Sequence, residues 1–191
     1  MLITPSDNTH PMKVLTAITG ASGFPLAVRF LKELENNNIE RHLVISRNAK
    51  KVQQYEGFQT DILAEHVYDE KDTHASICSG SFPVTAMVVI PCSMNTLAHI
   101  ANGLEHNAIT RAAAVNLKEE RSVVLVPRDT PLSLPALKNM VKAKEAGCSI
   151  VPPMLCYYNR PETVSDCTDF VVGRVLDVLD IEHKLYRRWE M

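Results

Sequence analysis

Residues 13–34 read KVLTAITGASGFPLAVRFLKEL, and this stretch decides the fold. Lys13 to Thr19 is mostly apolar, which predicts a strand. The strand ends in Gly20-Ala21-Ser22-Gly23, small residues that suit a tight turn. Phe24 to Leu34 predicts a helix. Leu26, Phe30 and Leu34 recur at helical spacing, and Pro25 falls in the first turn, where its missing N–H costs nothing. Asn36-Asn37-Asn38 stops it.

The alternation continues outward from this unit. Arg41 to Ser46 predicts a second strand and Arg47 to Tyr55 a second helix. Ala86 to Pro91 and Ser122 to Pro127 are continuous apolar runs, as expected of strands covered on both faces. Met94 to Asn102, Ala108 to Leu117 and Leu134 to Ala146 predict helices, the last with Ser133 as N-cap and Gly147 as its stop. Cys148 to Pro152 predicts the last strand. Thr163 to Leu179 predicts a long amphipathic helix, with Thr163 and Asp166 at capping-box spacing. Residues 57–85 are mixed and polar and yield no clear element. Strands separated by helices define an α/β protein, a three-layer Rossmann/flavodoxin-like sandwich with a mostly parallel sheet. Residues 1–12 are expected to form a disordered leader ahead of a single domain over 13–191.

Composition removes other classes. The chain has 191 residues, 46% hydrophobic and 22% charged, which suits one globular domain and excludes disorder. A formal net charge of −2 argues against a nonspecific nucleic-acid coat. Aromatic residues at 6% disfavour a base-stacking platform. No apolar run is long enough for a membrane span, and the start MLITPSDNTHP lacks signal-peptide character, so a cytoplasmic location is expected. The five cysteines form no CxxC pair and read as buried free thiols in a reducing compartment. The seven histidines show no HxxxH or HExxH pattern, so no protein metal site is expected.

In a parallel α/β sheet, ligands bind beyond the carboxyl ends of the strands. Those ends offer Gly20-Ala21-Ser22-Gly23, Ser46, Pro91-Cys92-Ser93-Met94, Arg128-Asp129-Thr130 and the loop through Tyr157, Tyr158 and Arg160. Small, hydroxylated and cationic groups at helix N-termini are the chemistry of a phosphorylated ligand. GASG lacks the third glycine of the dinucleotide fingerprint, and Ser46 ends the second strand where an acid would hold a ribose diol. Both point to a mononucleotide. Each hydroxyl also has a plainer use as a helix cap. Cys92 has no histidine near it in sequence and reads better as a core thiol than as a nucleophile. Arg111 and Lys118 taken singly read as solvated helix face, whereas Arg128 follows a buried strand at the binding edge. Arg174 sits beside an apolar stripe, where it either pairs structurally or reaches an anion.

Taken together, ITGASG, HLVIS, SGSFPVTAMVVIPCSMNTLAHIANG, ITRAAAVNLKEER, VLVPRDTPLS, VPPMLCYYNRPETV and VGRVLD resemble UbiX-type flavin prenyltransferases from about Lys13 to Trp189. The resemblance implies that Gly20, Ala21, Ser22, Ser46, Ser93, Met94, Thr96 and Arg111 hold FMN. It implies that Lys118, Arg128, Tyr158 and Arg174 hold the phosphate of dimethylallyl phosphate, and that Glu56 is the acidic residue at the end of the second helix. Asp129 departs from the family's usual Glu, and Asn95 from its usual Lys. The implied reaction joins a dimethylallyl group to reduced FMN without a metal, giving prenylated FMN for a partner UbiD-type decarboxylase. The resemblance further implies a homo-oligomer, a dodecamer with sites between subunits. The LYRRWE tail and residues 57–85 read as interface material. Two alternatives share the fold: an FMN-dependent decarboxylase of small thiol substrates, which needs a catalytic His in a context not found here, and a noncatalytic flavin carrier subunit, which would lack the cationic cluster.

Overall fold

The structure is a computed structural model and describes residues 12–58 and 64–189. The expected leader lies outside the described residues except for Met12. That residue packs against the core, and its carbonyl accepts from Glu40 N at 3.0 Å.

Six parallel strands form one sheet, ordered β3-β2-β1-β4-β5-β6. They are β1 (Lys13–Ile18), β2 (Glu40–Ile45), β3 (His66–Tyr68), β4 (Ala86–Cys92), β5 (Ser122–Pro127) and β6 (Ser149–Ile150). The helices are α1 (Phe24–Asn36), α2 (Arg47–Tyr55), α3 (Met94–Ala101), α4 (Ala108–Lys118), α5 (Leu134–Glu145) and α6 (Val164–Val178).

The central strands β1, β4 and β5 are largely apolar because both faces are covered. In β1, Val14 and Ile18 face the layer built from α1 and α6, while Leu15 and Ala17 face the layer of α3, α4 and α5. β4 repeats this, with Val88 and Ile90 on one face and Met87 and Val89 on the other. All seven residues of β4 are buried, as its place beside β1 and β5 requires. Phe24, Phe30 and Leu34 anchor α1 under the sheet. Burial of each such side chain contributes about 1.5–3 kcal/mol.

The helix signals are realised as hydrogen bonds. Ser133 accepts from Ala136 N, and Thr163 with Asp166 forms a reciprocal capping box. Gly147, just past α5, adopts φ +104°. Two readings are corrected. Residues 57–85 supply the edge strand β3, whose short, exposed character hides it from a hydrophobicity scan. The last strand is only Ser149–Ile150 rather than Cys148 to Pro152. The C-terminal tail folds back on its own chain. His183, Tyr186 and Arg188 all bond the Asp177 carboxylate of α6, and Leu185 packs on the core.

Candidate functional site

The sheet order reverses between β1 and β4, so their connections diverge to opposite faces and leave a crevice at the carboxyl edge. Thr19 latches the two strand ends. Its hydroxyl donates to the Pro91 carbonyl at 2.9 Å and accepts from Ser93 N at 2.7 Å. The neighbouring Ala21 N bonds the Thr19 carbonyl at 2.8 Å, tightening the turn. At Gly20, a Cβ would lie 2.6 Å from the Cβ of Asn48 in the first turn of α2, so glycine is required by close approach. Gly23 has φ +121° and caps α1 with no side-chain bond, leaving that helix N-terminus to other acceptors. One is already there: Gly23 N donates to Glu56 Oε1 at 3.2 Å. Glu56, thirty-three residues away in sequence, thus meets the glycine turn.

Two cavities share this turn. The first, about 530 Å³, is polar and lined by Gly20, Ser46, Asn48, Ser93, Asn95, Thr96 and Asn107, with Arg47, Lys71, Glu70 and His106 at its rim. Ser46 and Ser93 cap α2 and α3 by accepting from Ala49 N and Thr96 N at 3.1 and 3.2 Å, and Ser93 Oγ also meets Thr96 Oγ1 at 3.0 Å. The capping and ligand-facing readings of these serines therefore hold together. The second cavity, about 350 Å³, is largely apolar. Ser22, Gly23, Leu26, Phe58, Met154, Leu155 and Val171 line it, with the Glu56 carboxylate at its wall. Met94, by contrast, opens α3 and packs partly into the core.

The cations are dispersed in a single chain. Arg128 is at the binding edge, where its N–H bonds the Cys92 carbonyl at 3.1 Å and its side chain is exposed. Asp129 folds back onto Thr130 N at 2.9 Å. Arg111 lies one turn into α4 from Asn107 and pairs with Glu105 at 3.0 Å. Lys118 ends α4 near Gly80 and pairs with Glu119 at 3.6 Å. That places it at the amino end of β5, while Arg128 follows the carboxyl end. The span of β5 at ~3.3 Å per residue separates them by ~17 Å or more. Within one chain these two residues thus stand at opposite ends of β5. Tyr158 and Arg174 gather near the tail. Tyr158 stacks edge-on with Phe170 and Trp189, and Arg174 bonds Asp177 at 2.7 Å and the Tyr186 hydroxyl at 3.2 Å. Partial burial pushes the Tyr158 phenol up, keeping it a proton donor.

Cys92 is fully buried, and burial pushes its thiol far above the ordinary range, which suits a core residue and not a nucleophile. Sequence reasoning missed Thr19 and Asn48, which act through cross-strand contacts that local spacing does not reveal. It also missed a cluster of Glu40, His42 and His66 on β2 and β3, whose members are brought together by sheet register.

A doubly wound sheet with a glycine cradle, serine-capped helix N-termini and no acid after β2 defines a mononucleotide-binding α/β protein. The Flavoprotein family model matches residues 2–180. The flavin prenyltransferase UbiX of Thermoplasma acidophilum is 44% identical over 182 residues, covering 93% of this chain and all of that one. The counterpart in Methanothermobacter thermautotrophicus is 44% identical over 92% of this chain and 94% of its own. Among solved structures, AnUbiX (PadA1) in complex with FMN and dimethylallyl pyrophosphate aligns with a TM-score of 0.92 at 39% identity, covering 95% of this chain and 99% of that one. A dodecameric FMN-dependent UbiX-like decarboxylase from Escherichia coli O157:H7 aligns at 0.90 and 45% identity, over 94% of this chain and 100% of that one. The chain belongs to the Flavoprotein family, in its UbiX-type flavin prenyltransferase branch. The FMN-dependent cysteine decarboxylase SpaF, at 19% identity and TM-score 0.59, shares the fold alone.

Proposed function

We propose that this protein transfers a dimethylallyl group from dimethylallyl phosphate to reduced FMN. The observation that carries the reading is the pair of cavities, one polar and one apolar, on the two sides of the Gly20–Gly23 turn. The polar cavity suits a flavin mononucleotide. Gly20 lets backbone approach closely, and Ser46, Ser93 and Thr96 present hydroxyls and helix N–H groups to a phosphate. The apolar cavity suits a five-carbon hydrocarbon and keeps water from an allylic cation.

When bound, reduced FMN would supply the nucleophilic ring nitrogen and dimethylallyl phosphate the allylic carbon, phosphate leaving with the C–O electron pair; closing the new ring would consume the allyl double bond, one proton being added to the chain and one lost from the flavin ring. The chain's own residues orient the partners and stabilise the departing charge. Arg128 is the cation at the binding edge, and its planar fork suits a phosphate that gains charge as it leaves. Glu56, held by Gly23 N, stands where a proton can be taken or returned at the cavity wall. Lys118 reaches such a site from a second copy, so the complete phosphate site is built between subunits.

Exposed Leu134, Leu137 and Val141 on one side of α5 support such an assembly, which we take to be the dodecamer found in the Escherichia coli relative. Prenylated FMN would then serve a UbiD-type decarboxylase in the cytoplasm. Among the described residues no helix is long and apolar enough to cross a membrane. Calorimetry with FMN, FAD and NAD tests the cofactor. FMN should bind most tightly, and comparable binding of NAD would contradict the reading.

A further inference from the structure

Glu40, His42 and His66 stand at the amino ends of β2 and β3, at the opposite edge of the sheet from Ser46. Residues 40 and 42 share one face of β2 because side chains alternate along a strand. Register then pairs His42 with His66 on the adjacent strand. The two imidazoles stack with centroids 4.7 Å apart. Both Nε2 atoms point at one carboxylate oxygen, with His42 Nε2 2.9 Å and His66 Nε2 3.3 Å from Glu40 Oε1. The three ligand atoms all lie within 4.8 Å of one another.

The geometry points to a divalent metal site at Glu40, His42 and His66, of the two-imidazole, one-carboxylate type that takes zinc and leaves one position for water. Three features on the page support it. The donor set is the one zinc favours when three protein ligands hold it. The surrounding shell is in place. His42 Nδ1 meets the Tyr68 hydroxyl at 2.9 Å, which in turn meets Ser76 Oγ at 3.3 Å. Without metal, Nε2 faces Glu40 Oε1 at 2.9 Å as the donor; on metal binding the proton would shift to Nδ1, which then donates to Tyr68 and frees the Nε2 lone pair. The site also has an entry path, because His66 is 51% exposed while His42 is 1% exposed behind it.

One group opposes the metal. The Lys13 ammonium sits 3.0 Å from Glu40 Oε2 and occupies the carboxylate in its absence. Metal binding must displace that ammonium or share the carboxylate with it. The site lies at the edge strand, far from the glycine turn, so its role would be structural. It would staple the three-residue β3 to β2, where the sheet is otherwise held by few bonds.

The test uses the full-length protein, stripped with chelator and titrated with zinc alone, with cobalt as a spectroscopic probe. One zinc per chain is expected, with a rise in melting temperature and the visible bands of four-coordinate cobalt. His66→Ala should weaken zinc binding at least about tenfold and abolish those bands, while flavin binding stays unchanged. Lys13→Gln should tighten zinc binding, because the competing ammonium is gone. The proposal is overturned by a wild-type protein that takes up no zinc, and equally by zinc affinity and cobalt bands that are the same in His66→Ala. The second result would assign the ion to other histidines or thiols.

Discussion

Replacing Gly20 by alanine tests the cradle at the glycine turn. The added Cβ would stand 2.6 Å from Asn48 Cβ, whereas ordinary contact begins at 3.4 Å. At least about 0.8 Å of movement is needed. Asn48 cannot supply it by changing rotamer, because Cβ is fixed to the backbone. The first turn of α2 must therefore shift, and with it the Ser46 cap at 3.1 Å. Overpacking costs about 1–3 kcal/mol, and a weakened cap adds about 0.5–2 kcal/mol. The unfolded chain loses freedom with alanine and returns about 0.4–1 kcal/mol. A net loss of about 0.5–4.5 kcal/mol remains, along with displaced N–H groups at the polar cavity. Thermal unfolding and FMN titration read the two effects separately. Gly57→Ala serves as control, since φ is +65° there with nothing within 4 Å of the new atom. It should lose some stability from backbone strain and no FMN affinity. Wild-type stability and FMN affinity in Gly20→Ala would refute the close-approach reasoning.

Further outcomes follow from the same geometry. Arg128→Ala and Lys118→Ala should each retain FMN yet slow prenylation by on the order of a hundredfold, and Arg128→Lys should rescue only partly. Unchanged single-turnover rates in Arg128→Ala would move the phosphate elsewhere. Asp177 gives a pH signature: partial burial pushes its carboxyl up, but hydrogen bonds from Tyr186, His183 and Arg188 outweigh this and hold it at about 2. A depressed folded pKa contributes stability that is full above the unfolded value of 3.8 and lost as pH falls toward about 2. Asp177→Asn should therefore be less stable by about 2 kcal/mol at pH 6 and converge with wild type on acidification, and a pH-independent gap would argue against the tail hub. Cys92 should resist thiol reagents in the native state at pH 8, where burial keeps it protonated, and Cys92→Ala should keep prenylating. Loss of chemistry with intact folding in that variant would restore the thiol as a reacting group.

What could be read from the sequence depended on how each element is buried. β4 and β5 announced themselves because both faces are covered and every position but Ser122 is apolar. β3 did not, since an edge strand of three half-exposed residues is held by backbone pairing that leaves no hydrophobic signature. The glycine turn, Ser46 and Ser93 were legible because a helix N-terminus demands particular residue types locally. Lys118 and Arg128 are close in sequence, but the one strand between them carries them to opposite ends of the sheet. Their shared role was read from resemblance alone, together with sites built between subunits. Glu40, His42 and His66 were invisible for the converse reason, because register across strands sets their proximity. The tail's own anchor was not legible, because Asp177 meets His183, Tyr186 and Arg188 across six to eleven residues with no periodic pattern to mark it.

The most direct test is chemical. Purified protein is incubated anaerobically with reduced FMN and dimethylallyl phosphate, and the released flavin is analysed by mass. Prenyl transfer predicts a flavin heavier by one C5H8 unit, with one inorganic phosphate formed per flavin consumed. Unmodified FMN recovered from folded, oligomeric, FMN-binding protein would contradict the transferase reading.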